Sequence, residues 1–166
     1  MQLDLFEDSR DVLLNNAVVA AFAAHDADAT ALAIAALGDE FPRHHDLPRH
    51  RRLLEQLGDF RRNLQPGSLQ TRHRQLVQTL LPLAGQLFGA DRAIAWARPL
   101  WAALARTAAA LDYDNAQPEI HAAPLWLAAG APGDARSAIE RIPSWRRIPA
   151  PLAWMSEIEI RHGAPE

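Results

Sequence analysis

The stretch AFAAHDADATALAIAAL, residues 21–37, decides the fold. It opens at the end of an Ala-rich apolar run. Asp26-Ala27-Asp28 then makes a short polar turn of residues that cap helices. Apolar periodicity returns at once, with Ala33, Ile34 and Leu37 on one face. Such a pattern specifies a helix, a tight turn and a second helix. The alternation of β-branched and aromatic residues that marks strands is missing here and elsewhere, while Ala, Leu, Arg and Gln dominate.

Working outward, about eight helices are predicted. The first runs from a cap at Asp8 or Ser9 to about His25, with Leu14, Val18 and Phe22 on one face. A second spans about 29–40 and is stopped by Pro42. Asp46 can cap a third, through about Leu64, with Leu53, Leu57, Phe60 and Leu64 as its stripe. After QPGS (65–68), a fourth covers Leu69 to Phe88, with a kink expected at Pro82. A fifth, from Asp91 to about Leu111, is assigned an inner stripe of Ile94, Trp101, Leu104, Ala108 and Leu111. Three shorter helices follow, at about 120–129, 135–142 and 152–161. The fold class is therefore all-α, built as stacked antiparallel helical hairpins, with residues 1–8 as a peptide segment and 9–166 as a single domain.

Residues 21–37 can be laid on WLAAGAPGDARSAIERI (126–142) at a shift of 105, pairing Ala33 with Ala138 and Ile34 with Ile139. In LAAGAPGDARSAI (127–139), Gly130 and Ala135 sit where tetratricopeptide (TPR) repeats place a turn glycine and a small residue of the second helix. Over about 21–60 and 120–162 the chain resembles a degenerate TPR-like α-α superhelix. The aromatic positions of that consensus are mostly missing, and 65–111 fits a longer helix pair. The resemblance implies a non-catalytic adaptor or scaffold with a protein or peptide partner and no cofactor.

Composition narrows the chemistry. No cysteine is present among 166 residues, which removes disulfides, thiol nucleophiles and Cys-ligated zinc and fits a cytoplasmic location. All 17 basic residues are Arg, so Schiff-base and P-loop lysines are absent as well. A GC-rich genome accounts for that bias as readily as a selected use of guanidinium groups. No apolar run is long enough for a bilayer, and the amino terminus has no signal-peptide pattern.

Charge is uneven. Residues 1–42 hold eight acids against one base, a net of −7, whereas 43–74 hold eight Arg against three acids, a net of +5. Arg49, Arg51, Arg52, Arg61, Arg62, Arg72 and Arg74 form either solvated helix faces or a patch for phosphates or an acidic partner. The overall charge of −3 and the scarcity of interleaved aromatics argue against tight nucleic-acid binding.

His44, His45 and His50, with Asp46 among them, are the candidate metal ligands, and a small metal-dependent enzyme is the alternative function they raise. Their spacing is not the i, i+4 pair of a helical zinc site. His73 reads as a packed, hydrogen-bonded core histidine, and Trp101 and Trp126 as core. Asp112/Asp114 and Glu157/Glu159 have no nucleophile or base at a catalytic spacing, so no catalytic residue is assigned. Trp145, beside Arg146 and Arg147, has the composition of an interface hot spot; packing inward to cap the superhelix is the other reading.

The amino-terminal Gln2-Leu3-Asp4-Leu5-Phe6 resembles the peptide by which bacterial replication and repair proteins dock on the DNA sliding clamp, and it matches at all five positions. The resemblance implies that Leu5 and Phe6 fill a hydrophobic pocket, Leu3 a shallower one, and that Gln2 fixes register by hydrogen bonds. The alternative is that this tip folds back on the first helix pair.

Overall fold

The Asp26 carboxylate accepts a hydrogen bond from the Ala29 amide at 2.9 Å and starts the second helix two residues earlier than the sequence pattern suggests. In this computed structural model the backbone is described for residues 4–163 and side chains for 10–160. The helices are α1 (Asp4–Ala23), α2 (Ala27–Glu40), α3 (Leu47–Arg62), α4 (Leu69–Gln75), α5 (Leu81–Phe88), α6 (Ala90–Ala108), α7 (Ala122–Ala129), α8 (Pro132–Glu140) and α9 (Pro149–Gly163). No strand occurs among the described residues. None of the described helices is long and apolar enough to cross a membrane.

A π-helical stretch, Leu76–Leu80, joins α4 to α5, so these run on as the single long helix expected between 69 and 88. Pro82 explains it. Its ring clashes with the carbonyl four residues back, at Gln78, and it has no N–H to offer that carbonyl. Widening the preceding turn absorbs both defects. The first helix starts at Asp4 rather than near Asp8, because nothing between Leu5 and Ser9 breaks a helix.

The chain divides into two compact units: residues 1–62 with 77–96, and 63–76 with 97–166. In the first, α1 packs on α2, α2 on α3, and α3 on α5. Val18, Phe22, Leu37, Leu53, Phe60 and Leu80 form its core. In the second, α7 packs on α8 and α8 on α9. Ala122, Ala123, Ala135 and Ala138 are buried there, and such small side chains let helix backbones approach closely.

The turn that closes α1 recurs at the end of α7. His25 (φ 56°) and Gly130 (φ 78°) both adopt the left-handed conformation. The amide of His25 bonds the carbonyl of Phe22 and that of Asp26 the carbonyl of Ala21; the amide of Gly130 bonds Leu127 and that of Ala131 bonds Trp126. The next helix then begins in each case with the same i→i−4 bond, Thr30 to Asp26 and Ala135 to Ala131. Thr30 and Ala135, Ile34 and Ile139, and Leu37 and Ile142 are buried pair by pair. At a shift of 105, the two hairpins thus share one Schellman-type turn and one core register.

Two assignments need correction. The core face of α6 is Ala93, Trp96, Ala97, Leu100, Leu104, Ala105 and Ala108, while Ile94 and Leu111 are exposed. Among the tryptophans, Trp96 is the buried one, and Trp101 and Trp126 are half-buried. The real stripe is mostly alanine, which carries little weight when large residues are used to find a face.

Candidate functional site

Between α6 and α7 the chain runs through Leu111, Asp112 and Tyr113 to His121, whose Nδ1 accepts the Ala123 amide at 3.2 Å and caps α7. Because Nδ1 accepts, the proton of the neutral ring sits on Nε2. The imidazole stacks on Trp154 (centroids 5.8 Å apart, planes 1° from parallel), and Tyr113 meets both rings edge-on. Burial and the neighbouring Arg141 guanidinium hold the His121 pKa below its ordinary value.

Against this aromatic wall lies a cavity of about 670 Å³, within the range of small-ligand pockets, and Leu111, Asp112, Tyr113, His121, Arg141 and Ile142 are among its lining. A second depression of about 450 Å³ shares Arg141, Ile142 and Pro143 with it and extends past Trp145, Arg146 and Arg147. A smaller one, about 250 Å³, shares Leu111, Asp112 and His121 and continues to Asp114. Through these shared residues they form one trough in the second unit, with Asp112 and Asp114 at one end and Arg141, Arg146 and Arg147, beside Glu140, at the other.

Consecutive short turns fix the basic end. Ile142 bonds back to Ile139, Trp145 to Ile142, Arg147 to Ser144 and Ile148 to Trp145. Ser144 adopts a left-handed conformation (φ 56°) to complete the bend. Trp145 is half-buried, and the Arg146 guanidinium lies over its ring, 4.4 Å from the centroid. Arg141, Arg146 and Arg147 are exposed, and none forms an ion pair among the described residues.

The proton-transfer groups here have other employment. The acceptor nitrogen of His121 caps a helix. The Tyr113 hydroxyl donates to the Asn115 side-chain Oδ1 at 3.1 Å, and burial with the nearby Asp114 charge raises its pKa. Sequence reasoning reached Trp145, Arg146 and Arg147 through PSWRRIP but missed Arg141, Tyr113 and His121. They lie 20 to 30 residues apart in places and converge only through the α7–α8 hairpin.

In the first unit, His44, His45 and Asp46 each offer a ligand atom, all within 4.8 Å of one another, and the two imidazoles stack at 4.6 Å. They are the described residues that could hold a metal. Existing bonds already occupy them: His44 Nδ1 accepts the Asp46 amide at 3.2 Å, and the Asp46 carboxylate takes Arg49 at 2.7 Å and His45 at 3.1 Å. That carboxylate consequently does not cap α3 through a backbone amide, as the sequence suggested. His44 and His45 also line a depression of about 490 Å³ beside Asp11 and Glu40. His50 lies apart from this cluster. It is fully buried, with no hydrogen-bond partner for either nitrogen among the described residues. Burial pushes its pKa down to about 4, a drop that Asp46 only partly counters.

The Arg-rich segment is not one stripe. Arg49, Arg51, Arg52, Arg61 and Arg62 lie on several sides of α3 in the first unit, whereas Arg72 and Arg74 belong to the second. Arg61 bonds His25 Nδ1 at 3.2 Å, and Arg72 bonds Gln75 at 2.7 Å. His73 packs against Trp101, ring centroids 5.6 Å apart. Of the clamp-like peptide, Gln2 and Leu3 lie outside the described residues, as do the side chains of Asp4, Leu5 and Phe6, whose backbone forms the first turn of α1.

No protein family, curated protein or solved structure matches the chain in any of three comparisons.

Proposed function

We propose that the chain is a non-catalytic, TPR-like interaction module of the bacterial cytoplasm, recruited to the DNA sliding clamp through Gln2–Phe6. The observation that carries this reading is the complete QLDLF match at residues 2–6. Docking as an extended peptide requires the first turn of α1 to unwind. Helix ends lack half their backbone hydrogen bonds, so this costs little. Farther along α1, Val12 and Leu13 are exposed, and Val18 is the first fully buried residue among the described side chains. The structural employment of His121 and Tyr113 supports a binding role over a catalytic one.

Fluorescence polarisation with purified clamp and the labelled full-length protein tests the proposal. Wild type is expected to bind, and Leu5→Ala/Phe6→Ala to lose binding. Equal binding by both, or none by wild type, overturns it.

A further inference from the structure

We propose that the trough of the second unit is a separate docking site for an extended acidic peptide, with Arg141, Arg146 and Arg147 as carboxylate receptors and Trp145 as the apolar contact. The site shares no residue with the QLDLF segment.

Charge complementarity identifies the occupant. Three guanidinium groups gather around the shared stretch of the two larger depressions, and Arg141 lines both. With no ion pair of their own among the described residues, their forks are open to carboxylates, which guanidinium binds by two parallel hydrogen bonds. The receptors are also largely preformed. Back-to-back turns hold residues 142–148, and the Trp145 ring supports Arg146, so less side-chain entropy is lost on binding.

The other end of the trough argues for peptide rather than nucleic acid. Asp112 and Asp114 line it, Glu140 sits beside the arginines at the basic end, and a phosphate chain would meet carboxylates along its length. A peptide has charge only where its side chains put it. Acidic residues at the Arg end and neutral or basic ones at the Asp end suit the trough and set a direction. Neutral His121 adds no positive charge, which leaves Arg141 as the electrostatic centre.

The test uses the full chain and three fluorescein-labelled probes: a ten-residue Glu/Leu peptide, a Lys/Leu peptide of equal length, and oligo-dT. Polarisation is read at two salt concentrations. The acidic peptide is expected to bind, more weakly at high salt. Arg141→Gln should weaken it about tenfold, and Arg146→Gln/Arg147→Gln comparably. Arg141→Lys should retain part of the affinity, and Trp145→Ala should weaken binding without changing its salt dependence. Circular dichroism confirms that each variant is folded. Leu5→Ala/Phe6→Ala should bind the acidic peptide as wild type does, so this site and the clamp reading fail independently. Preference for the basic peptide or for oligo-dT, absence of binding by the acidic one, or unchanged affinity in the folded Arg141→Gln/Arg146→Gln/Arg147→Gln variant overturns the proposal.

Discussion

His25 lies flat on Trp96, ring centroids 5.5 Å apart and planes 7° from parallel, while its Nε2 bonds the Trp96 carbonyl at 2.9 Å. Arg61 can only donate, so His25 Nδ1 accepts and Nε2 carries the proton toward that carbonyl. In return, Trp96 Nε1 donates to the Phe22 carbonyl at 3.0 Å. One residue pair thereby closes the end of α1 and explains how a histidine holds a left-handed conformation that Gly130 adopts at the equivalent turn.

Replacing His25 by Gly and by Ala separates backbone from side chain. Both lose the stack and the hydrogen bonds, but only Gly relieves a left-handed φ that costs about 1 kcal/mol. His25→Ala is expected to lower the urea-unfolding free energy by about 2 kcal/mol, and His25→Gly by about 1 kcal/mol less than that. An equal loss in both would mean that φ at this turn is unstrained.

Acid should unfold the protein through its histidines. The His50 pKa falls from 6.5 to about 4 on folding, and burial depresses those of His25, His73 and His121 too. A histidine depressed in this sense contributes its full stability above pH 6.5 and loses it as pH falls toward the folded value. For His50 that loss is about 3 kcal/mol between pH 6.5 and 4. His50→Leu should flatten this part of the pH–stability profile and raise stability at pH 5, read by thermal melts across pH. An unchanged acid limb would exclude His50 as a source.

Gly130 and Gly133 lie three residues apart and should answer Ala in opposite ways. Gly130 has φ 78°, and a Cβ there meets only ordinary contacts with Arg98, so Gly130→Ala costs about 1 kcal/mol in backbone strain alone. Gly133 sits in the first turn of α8 with open space around it, and Gly133→Ala should stabilise by about 0.5 kcal/mol. Melting temperatures moving in opposite directions would confirm both.

The register of α2 can be checked with two leucines. Leu32 is 72% exposed and Leu37 is fully buried. Leu32→Ser should change stability by less than about 0.5 kcal/mol, and Leu37→Ala should cost about 3 kcal/mol. Chemical denaturation distinguishes them, and comparable effects would place both on one face.

Much of this was legible before the structure. The all-α class, the near positions of the helices and the Leu53–Leu57–Phe60 stripe of α3 follow from periodicity, because those inward residues are large and most of the exposed ones on α3 are charged. The α6 register did not, since alanine forms most of its buried face and Ile94 points to solvent. Pro82 announced a disturbance in the fourth helix but not its form as a widened turn. Trp145 and its arginines were visible as neighbours in the chain. Arg141, Tyr113 and His121 were not, because only the folding of α7 onto α8 assembles them.

The repeated turn at His25 and Gly130 bears on how the chain finds its fold. Each hairpin, α1–α2 and α7–α8, closes through contacts between residues close in sequence, and such contacts form early because little loop entropy opposes them. The protein therefore has two local nuclei of the same hydrogen-bond pattern, far apart along the chain and stabilised differently. Glycine meets the left-handed requirement of one turn by itself. Histidine meets that of the other only once Trp96, 71 residues away, is in place. The carboxy-terminal hairpin can lock as soon as it collapses, whereas the amino-terminal one must wait for α6.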